Sequence, residues 1–253
     1  MYYYVYDSFA GDKEFRRIIQ TLETETNNLG LTGERGQASA LRQADDLVKE
    51  AAERGYKPIV VIGDDGTLNA GINAIAKNNL TTPLAYVPLK KNQPLAFLLG
   101  LTPETAIVSL SRRVVREMAL AQANQNFFLA SINCFAGTAG SKRLLGKNRG
   151  TVFEPQLLLD EHIKISAPVD RVLIEHKPDS GAFRVSLRHE SKSFLRRATF
   201  EEQGIFWAKH ITVSAKQPIT CLLDGRAIIR APLDIHLSDQ SINLIVGRTR
   251  RFG

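Results

Sequence analysis

Residues 58–69 read Pro58-Ile59-Val60-Val61-Ile62-Gly63-Asp64-Asp65-Gly66-Thr67-Leu68-Asn69. Four β-branched side chains in succession, with no polar alternation, mark a strand covered on both faces of a parallel sheet. A Gly-Asp-Asp-Gly-Thr turn follows, and residues 68–77 then take helical spacing. At such a junction the free N–H groups of a helix N-terminus meet the carboxyl end of a strand, which is where open α/β sheets bind anions. Gly63 and Gly66 let the backbone approach a phosphate. Thr67 offers a hydroxyl and a helix cap. Asp65 offers a carboxylate for magnesium, or a base for an attacking hydroxyl. The same residues also make an Asp-Gly turn with a threonine cap that needs no ligand.

Outward from this stretch the periodicities alternate. Tyr2–Tyr6 is aromatic and β-branched, as a first strand should be, and residues 7–11 read as a loop. Phe15, Ile18, Ile19 and Leu22 form an amphipathic stripe that Gly30 can close. Residues 32–36 read as a turn. Leu41, Ala44, Leu47, Val48 and Ala51 repeat the helical stripe, with Gly55 as its stop. Leu84–Pro88 is a second short apolar strand, and Thr102-Pro103-Glu104 opens a further helix with a cap and a proline. Strands alternating with helices predict an open α/β domain with a parallel sheet over residues 1–112.

Near Ser111 the pattern changes. Residues 114–122 and 127–134 flank a turn at 123–126 and read as a hairpin. Short strand-like runs follow at 169–175, 181–188, 210–214, 219–223, 227–230 and 242–246. They predict a β-rich, sandwich-like domain over residues 113–253, with a last strand free to return to the first domain.

The chain has 253 residues, 33 Lys+Arg against 26 Asp+Glu, and a net charge of +7. Residues 1–112 carry 12 basic and 13 acidic side chains, whereas residues 113–253 carry 21 and 13, so the whole excess lies in the second part. A basic half of this kind suits phosphates, a membrane surface or nucleic acid. The two cysteines, Cys134 and Cys221, form no CxxC, which argues against a zinc ribbon, an iron–sulfur site and a disulfide scaffold. No two of the five histidines have helical i,i+4 metal spacing. The N-terminus lacks the pattern of a signal peptide, and no apolar run approaches the roughly 20 residues of a membrane span. A cytoplasmic protein in a reducing setting is the resulting expectation.

The Gly63–Asn69 segment resembles the GGDGT loop of the diacylglycerol kinase catalytic family, which includes bacterial lipid kinases and, more distantly, NAD kinases. The stretches Leu84–Leu89 and Leu98–Leu101 resemble the family's next strand and helix. Residues 210–214 and 219–225, ending in Asp224-Gly225, resemble its strand pair that closes in Asp-Gly-Glu. The resemblance implies an α/β nucleotide-binding domain followed by a β-rich domain. It implies ATP with magnesium at Gly63, Asp64, Gly66, Thr67 and Asn69, with Lys90 and Lys91 nearby. Asp65 and Asp224 would be the catalytic carboxylates, Asp65 also on the magnesium side, and the acceptor would be a lipid hydroxyl.

Three positions depart from the family pattern. Asp64 stands where the family has its second glycine, bringing a carboxylate toward phosphate. Residues 90–95 read Lys-Lys-Asn-Gln-Pro-Leu in place of Gly-Thr-x-Asn-Asp-Phe, and these two lysines suit either phosphate or solvent. Arg226 replaces the glutamate after Asp-Gly. The expected activity is therefore ATP- and magnesium-dependent phosphoryl transfer to a lipid, weakened at the loop. A non-catalytic relative that binds nucleotide or an anionic membrane is the alternative, and a kinase of a soluble substrate is another. Basic segments at 137–150 and 184–197, with Arg248, Arg250 and Arg251, favour a peripheral position at a membrane or a merely solvated surface. No nucleic-acid motif is present, and self-association is compatible with all of these readings.

Overall fold

The computed structural model describes residues 1–137, 152–191, 199–225 and 227–251. It divides into two compact units, Met1–Leu120 with Asp239–Gly253, and Ala121–Ser238. The first contains β1 (Tyr2–Tyr6), α1 (Arg16–Asn28), β2 (Gly33–Gln37), α2 (Ala44–Glu53), β3 (Ile59–Gly63), α3 (Asp65–Lys77), β4 (Leu84–Pro88), α4 (Pro94–Leu99), α5 (Pro103–Arg112) and most of β5 (Val115–Ala123). The second contains β6 (Asn126–Phe128), β7 (Ser131–Ala136), β8 (Pro155–Leu159), β9 (Ile163–Ser166), β10 (Arg171–Lys177) and β11 (Ala182–Ser191). It continues through β12 (Thr199–Ala208), β13 (His210–Ala215), β14 (Ile219–Leu223), β15 (Ala227–Arg230) and the first half of β16 (Leu233–Ile245). An N-terminal parallel-sheet α/β layer followed by a β-rich part is the architecture the periodicities predict.

In the first unit the strand order is β2-β1-β3-β4, and the second half of β16 adds beyond β4. Every pair along it is parallel, with Val61 of β3 opposite Val5 on one side and Tyr86 on the other. A central parallel strand has neighbours along both edges and helices over its faces, so it holds no place for a polar side chain. Ile59, Val60, Val61 and Ile62 are accordingly devoid of solvent exposure. The tyrosines of β1 fit the same buried layer because their hydroxyls find partners: that of Tyr4 donates to the Leu31 carbonyl, and burial pushes its pKa up to about 12.

Residues 32–36, expected as a turn, are instead the edge strand β2. Two glycines and three polar residues carry no strand signal, but the parallel register makes the glycines necessary. A Cβ on Gly33 would lie 2.2 Å from the Tyr2 carbonyl oxygen, and one on Gly36 would lie 2.6 Å from the Tyr3 hydroxyl. Leu41 also departs from its expected stripe: α2 starts at Ala44, and Leu41 is almost fully exposed.

In the second unit β12-β11-β10-β7-β14-β15 form an antiparallel sheet. A second layer runs from the first half of β16 through β13 and β8 to β9. Phe128, Phe153, Phe183, Val172, Ile211 and Val213 meet in the core of this unit. The run 127–134, expected as one strand, breaks into β6 and β7 at residues 129–130, because the turn there is held by a side chain described below. The strands β8 and β12 carry no regular alternation that a reading of the chain could catch, and β9, although it alternates, is only four residues long. Cys134 and Cys221 are directly opposite one another on β7 and β14, and both are fully buried. They form a disulfide, contrary to the expectation from their spacing, since register joins residues that sequence distance separates.

Gly33→Ala should cost about 2 kcal/mol of unfolding free energy in a urea titration, because the obstructing atom is backbone and cannot yield. Gly11→Ala, where the added Cβ meets only a side-chain nitrogen at 3.7 Å, should be nearly neutral.

Candidate functional site

The turn between β3 and α3 is built from side chains within the first unit. The cap of α3 is Asp64, not Thr67 as expected. Its Oδ1 accepts from Gly66 N at 3.0 Å and Thr67 N at 3.3 Å, while Thr67 Oγ1 accepts in return from Asp64 N at 3.1 Å. This is a capping box with aspartate in the first position. The Thr67 hydroxyl donates onward to Asp7 Oδ2, so β1 is tied to the same turn. Gly63 makes this closure sterically feasible: a Cβ there would lie 2.3 Å from Thr67 Oγ1 and 3.0 Å from the Asp7 Cβ.

Asp65 is fully buried. Its Oδ1 accepts from the Tyr86 hydroxyl at 3.0 Å, and its Oδ2 accepts from Leu95 N at 2.8 Å. Its own N–H donates to Gln93 Oε1 at 2.9 Å. Gln93 is the N-cap of α4, so Asp65 satisfies a backbone donor in the first turn of α4 while Gln93 satisfies one in the first turn of α3. Asn69 is buried one turn along α3, where its carbonyl and side-chain oxygens accept from Asn73 Nδ2.

The two lysines part company. Lys90 Nζ lies 3.0 Å from Asp64 Oδ2 and 3.6 Å from the centroid of the Phe9 ring. It is thus held by a carboxylate and an aromatic face together. Lys91 is exposed, and its charge helps to hold the Glu104 carboxyl below its usual range, after the hydrogen bonds that Glu104 accepts from Thr102 and from its own backbone N–H.

The fit to a bound phosphate can be tested on the N–H groups at the start of α3. Asp64 N–H goes to Thr67, Asp65 N–H to Gln93, those of Gly66 and Thr67 to Asp64, and Leu68 N–H to the Asp64 carbonyl at 3.1 Å. In this arrangement the Asp64 carboxylate already occupies the place an anion would take at the helix terminus. The cradle fits phosphate only with Asp64 swung aside. Magnesium at Asp65 fits no better, because both oxygens hold donors and no part of the side chain reaches solvent. Among the described residues, no three His, Cys, Asp or Glu side chains are grouped to hold a metal ion.

Asp224 belongs to the second unit, in the hairpin turn between β14 and β15. With Gly225 it takes positive φ, +47° and +82°, as Asp-Gly turns favour. It is fully buried and accepts three consecutive backbone donors, Leu129 N at 2.9 Å, Ala130 N at 2.8 Å and Ser131 N at 3.1 Å. That clasp ends β6 and starts β7. Beside it, His176 Nδ1 lies 3.0 Å from the Leu129 carbonyl oxygen and therefore carries the proton. Burial pushes the His176 pKa down; that hydrogen bond and the charge of Asp224 oppose the shift. Arg226, residues 138–150 of the expected basic loop and residues 192–197 of the second basic segment lie outside the described residues.

Sequence reasoning missed Asp7, Phe9, Tyr86 and Gln93. Of these, Gln93 had a legible signal, since it directly precedes Pro94 and a residue before a first-turn proline is a natural cap position.

Residues 2–123 match the diacylglycerol kinase catalytic domain family. A Staphylococcus carnosus protein whose name carries the words lipid kinase is 26% identical over 144 residues, which are 53% of this chain and 47% of that protein. A Pseudomonas aeruginosa protein named as a YegS-like lipid kinase is 30% identical over 136 residues, 53% of this chain and 42% of that one. The matched stretch thus spans just under half the length of these relatives. Two solved structures named for a diacylglycerol kinase of Bacillus anthracis str. Sterne superpose with TM-scores of 0.77 and 0.74 at 15% and 17% identity. Each match covers 99% of this chain and 98% of the other, and shows a shared fold.

Asp65→Ala should destabilise the protein by about 3 kcal/mol in chemical denaturation, since it strands the Leu95 N–H and the Tyr86 hydroxyl in the interior. A histidine kept neutral by burial withholds protons that the unfolded chain binds, so stability falls as pH drops below about 6.5. The loss of melting temperature between about pH 7.5 and pH 5.5 should therefore be smaller in His176→Gln than in the wild type.

Proposed function

Residues 2–123 belong to the diacylglycerol kinase catalytic domain family, and on that premise we propose that this protein is a lipid-kinase-type phosphotransferase weakened at its nucleotide loop. The single observation behind the weakening is the self-capped N-terminus of α3. All the N–H groups that would receive phosphate are engaged within the chain, two of them by the Asp64 carboxylate.

In the family chemistry, ATP with magnesium supplies a γ-phosphoryl group for transfer to a lipid hydroxyl. This chain's contribution begins with a release. Asp64 must rotate off the Gly66 and Thr67 amides, which frees those donors and leaves Lys90 without its carboxylate partner, as a cation facing the same turn. Gly63, Thr67 and Asp7 keep the β3–α3 turn in shape while this happens, because their closure does not depend on the Asp64 side chain. Asp65 serves as a positioning residue, fixing the first turns of α3 and α4 with respect to each other. Asp224 does the same for the 129–131 turn.

A second reading has its own observation. Asp65 and Asp224, the two carboxylates expected to carry the chemistry, are both fully buried and committed to backbone donors. That commitment favours a kinase-fold protein that binds without transferring phosphate.

Asp64→Gly separates the two. Glycine replaces a side-chain cap at a cost of only a few tenths of a kcal/mol, so the variant should fold. Under the first reading the wild type shows a small melting shift with magnesium-ATP, and Asp64→Gly shows a larger one together with faster transfer of label from ATP to diacylglycerol vesicles. Absence of transfer by both proteins would overturn the catalytic reading.

A further inference from the structure

The outward face of the six-stranded sheet in the second unit has an order that neither the α3 turn nor the Asp224 clasp explains. Side chains alternate along each strand, and the core takes Cys134, Val172, Val185, Phe183 and Cys221. The opposite face is read off the register. One row crosses all six strands as Ile228, Leu222, Asn133, Leu173, Ser186 and Ile205. At about 4.8 Å between strands it is an edge-to-edge strip about 24 Å long. Its two ends are open to solvent, with Ile228 50% and Ile205 49% exposed, and Trp207 beside Ile205 is 53% exposed.

Charge flanks this strip. Among the residues whose side chains are described, the face carries five cations, Arg171, Lys177, Arg184, Arg188 and Arg230, against two carboxylates, Glu175 and Glu202. Glu175 pairs with Lys177 and Arg184, and Glu202 pairs with Arg184 and Arg188. Arg230 is exposed on the edge strand β15 and joins none of these pairs. Among the described residues, Asn133 Oδ1, Ser186 Oγ and Arg188 Nε on the same face are buried with no hydrogen-bond partner. The row is therefore apolar at Ile228, Leu222, Leu173 and Ile205, interrupted by Asn133 and the buried Ser186, exposed at its two ends and flanked by cations.

We propose that this sheet face docks the protein on an anionic phospholipid bilayer. The apolar strip and Trp207 supply the side chains that settle at the boundary between headgroups and acyl chains, where an indole is at home on both sides. The surplus arginines meet lipid phosphates, with which a guanidinium forms paired hydrogen bonds. The naming of a lipid surface rests on the lipid-kinase reading above; the face itself stands on the register and the exposures.

Trp207 is the only tryptophan of the chain, so the proposal has a built-in reporter. Emission should move to the blue when the full-length protein meets vesicles of phosphatidylcholine with phosphatidylglycerol, in the absence of nucleotide. It should stay in place with phosphatidylcholine alone and with inorganic phosphate. Each net charge near an anionic surface is worth about a factor of five in partition, so the cationic surplus should give a preference of at least about tenfold for the anionic vesicles in co-sedimentation. Ile205→Ser with Ile228→Ser should abolish the shift. Arg230→Glu, on an exposed side chain, should weaken partition even if the serine variant fails to fold. Because no nucleotide is present, docking with no phosphoryl transfer would leave this inference standing while the kinase reading falls, and the converse result would do the reverse. Vesicle binding without a Trp207 shift would place the membrane contact elsewhere and overturn the proposal. So would a concentration-dependent shift without vesicles, accompanied by a dimer in sedimentation velocity, which would assign the face to a second copy of the chain.

Discussion

A carboxylate sealed from solvent must be given donors, because an unpartnered charge in the interior costs far more than any single contact returns. Asp65 meets that constraint with the Tyr86 hydroxyl and the Leu95 N–H, while its own N–H is taken by Gln93. Three segments are fixed by this arrangement: the end of β3 with the start of α3, the middle of β4, and the loop from β4 into α4. The helix termini at α3 and α4 each need donors satisfied, and each receives an acceptor from the other. Neither loop can be redrawn without the other, so the placing of the first turns of α3 and α4 against β4 rests on one buried side chain.

The second unit repeats the device in a β setting. Asp224 takes three successive amides of the 129–131 turn, which is what separates β6 from β7 and sends the chain from one layer to the other. His176, packed against Phe128 and Phe183, completes the corner through the Leu129 carbonyl. A hydrophobic core alone would tolerate several registers there; a carboxylate that must find three N–H groups in a row tolerates one.

What could be read from the chain follows from where each kind of information is stored. The run Ile59–Ile62 declares a central parallel strand by itself, since burial on both faces is written into consecutive residues. The stripes of α1 and α2 and the cap at Thr102 are local in the same sense. The strand β2 is not, because its glycines answer to the Tyr2 backbone and the Tyr3 ring, far off in sequence. The break after Phe128 answers to Asp224, some 95 positions away, and the pairing of Cys134 with Cys221 answers to register alone. In the candidate site, the residue types of the Gly63–Asn69 turn were legible, but the direction in which each carboxylate points was not. Asp64 reads as a misplaced negative charge until its amide partners are seen, and Lys90 reads as solvated until Asp64 and Phe9 are found beside it.

The same geometry changes what the motif itself can testify to. An Asp-Gly-Thr turn whose aspartate fastens two helix termini is required by the fold, whether or not a phosphate ever arrives. Asp65, Thr67 and Gly63 therefore testify to an intact α/β layer. The informative positions are those the fold does not need. Gly at position 64 would serve the backbone as well as Asp does, apart from a few tenths of a kcal/mol of capping. An aspartate there adds a carboxylate at the one place where incoming phosphate needs bare amides. Its ion pair also engages Lys90, a cation at the same turn. One substitution thus alters both partners of the anion, and it does so without loosening the fastener beneath. On the proposed reading, a kinase fold keeps its framework in this way while access to the amides at the start of α3 depends on the side-chain rotation at position 64.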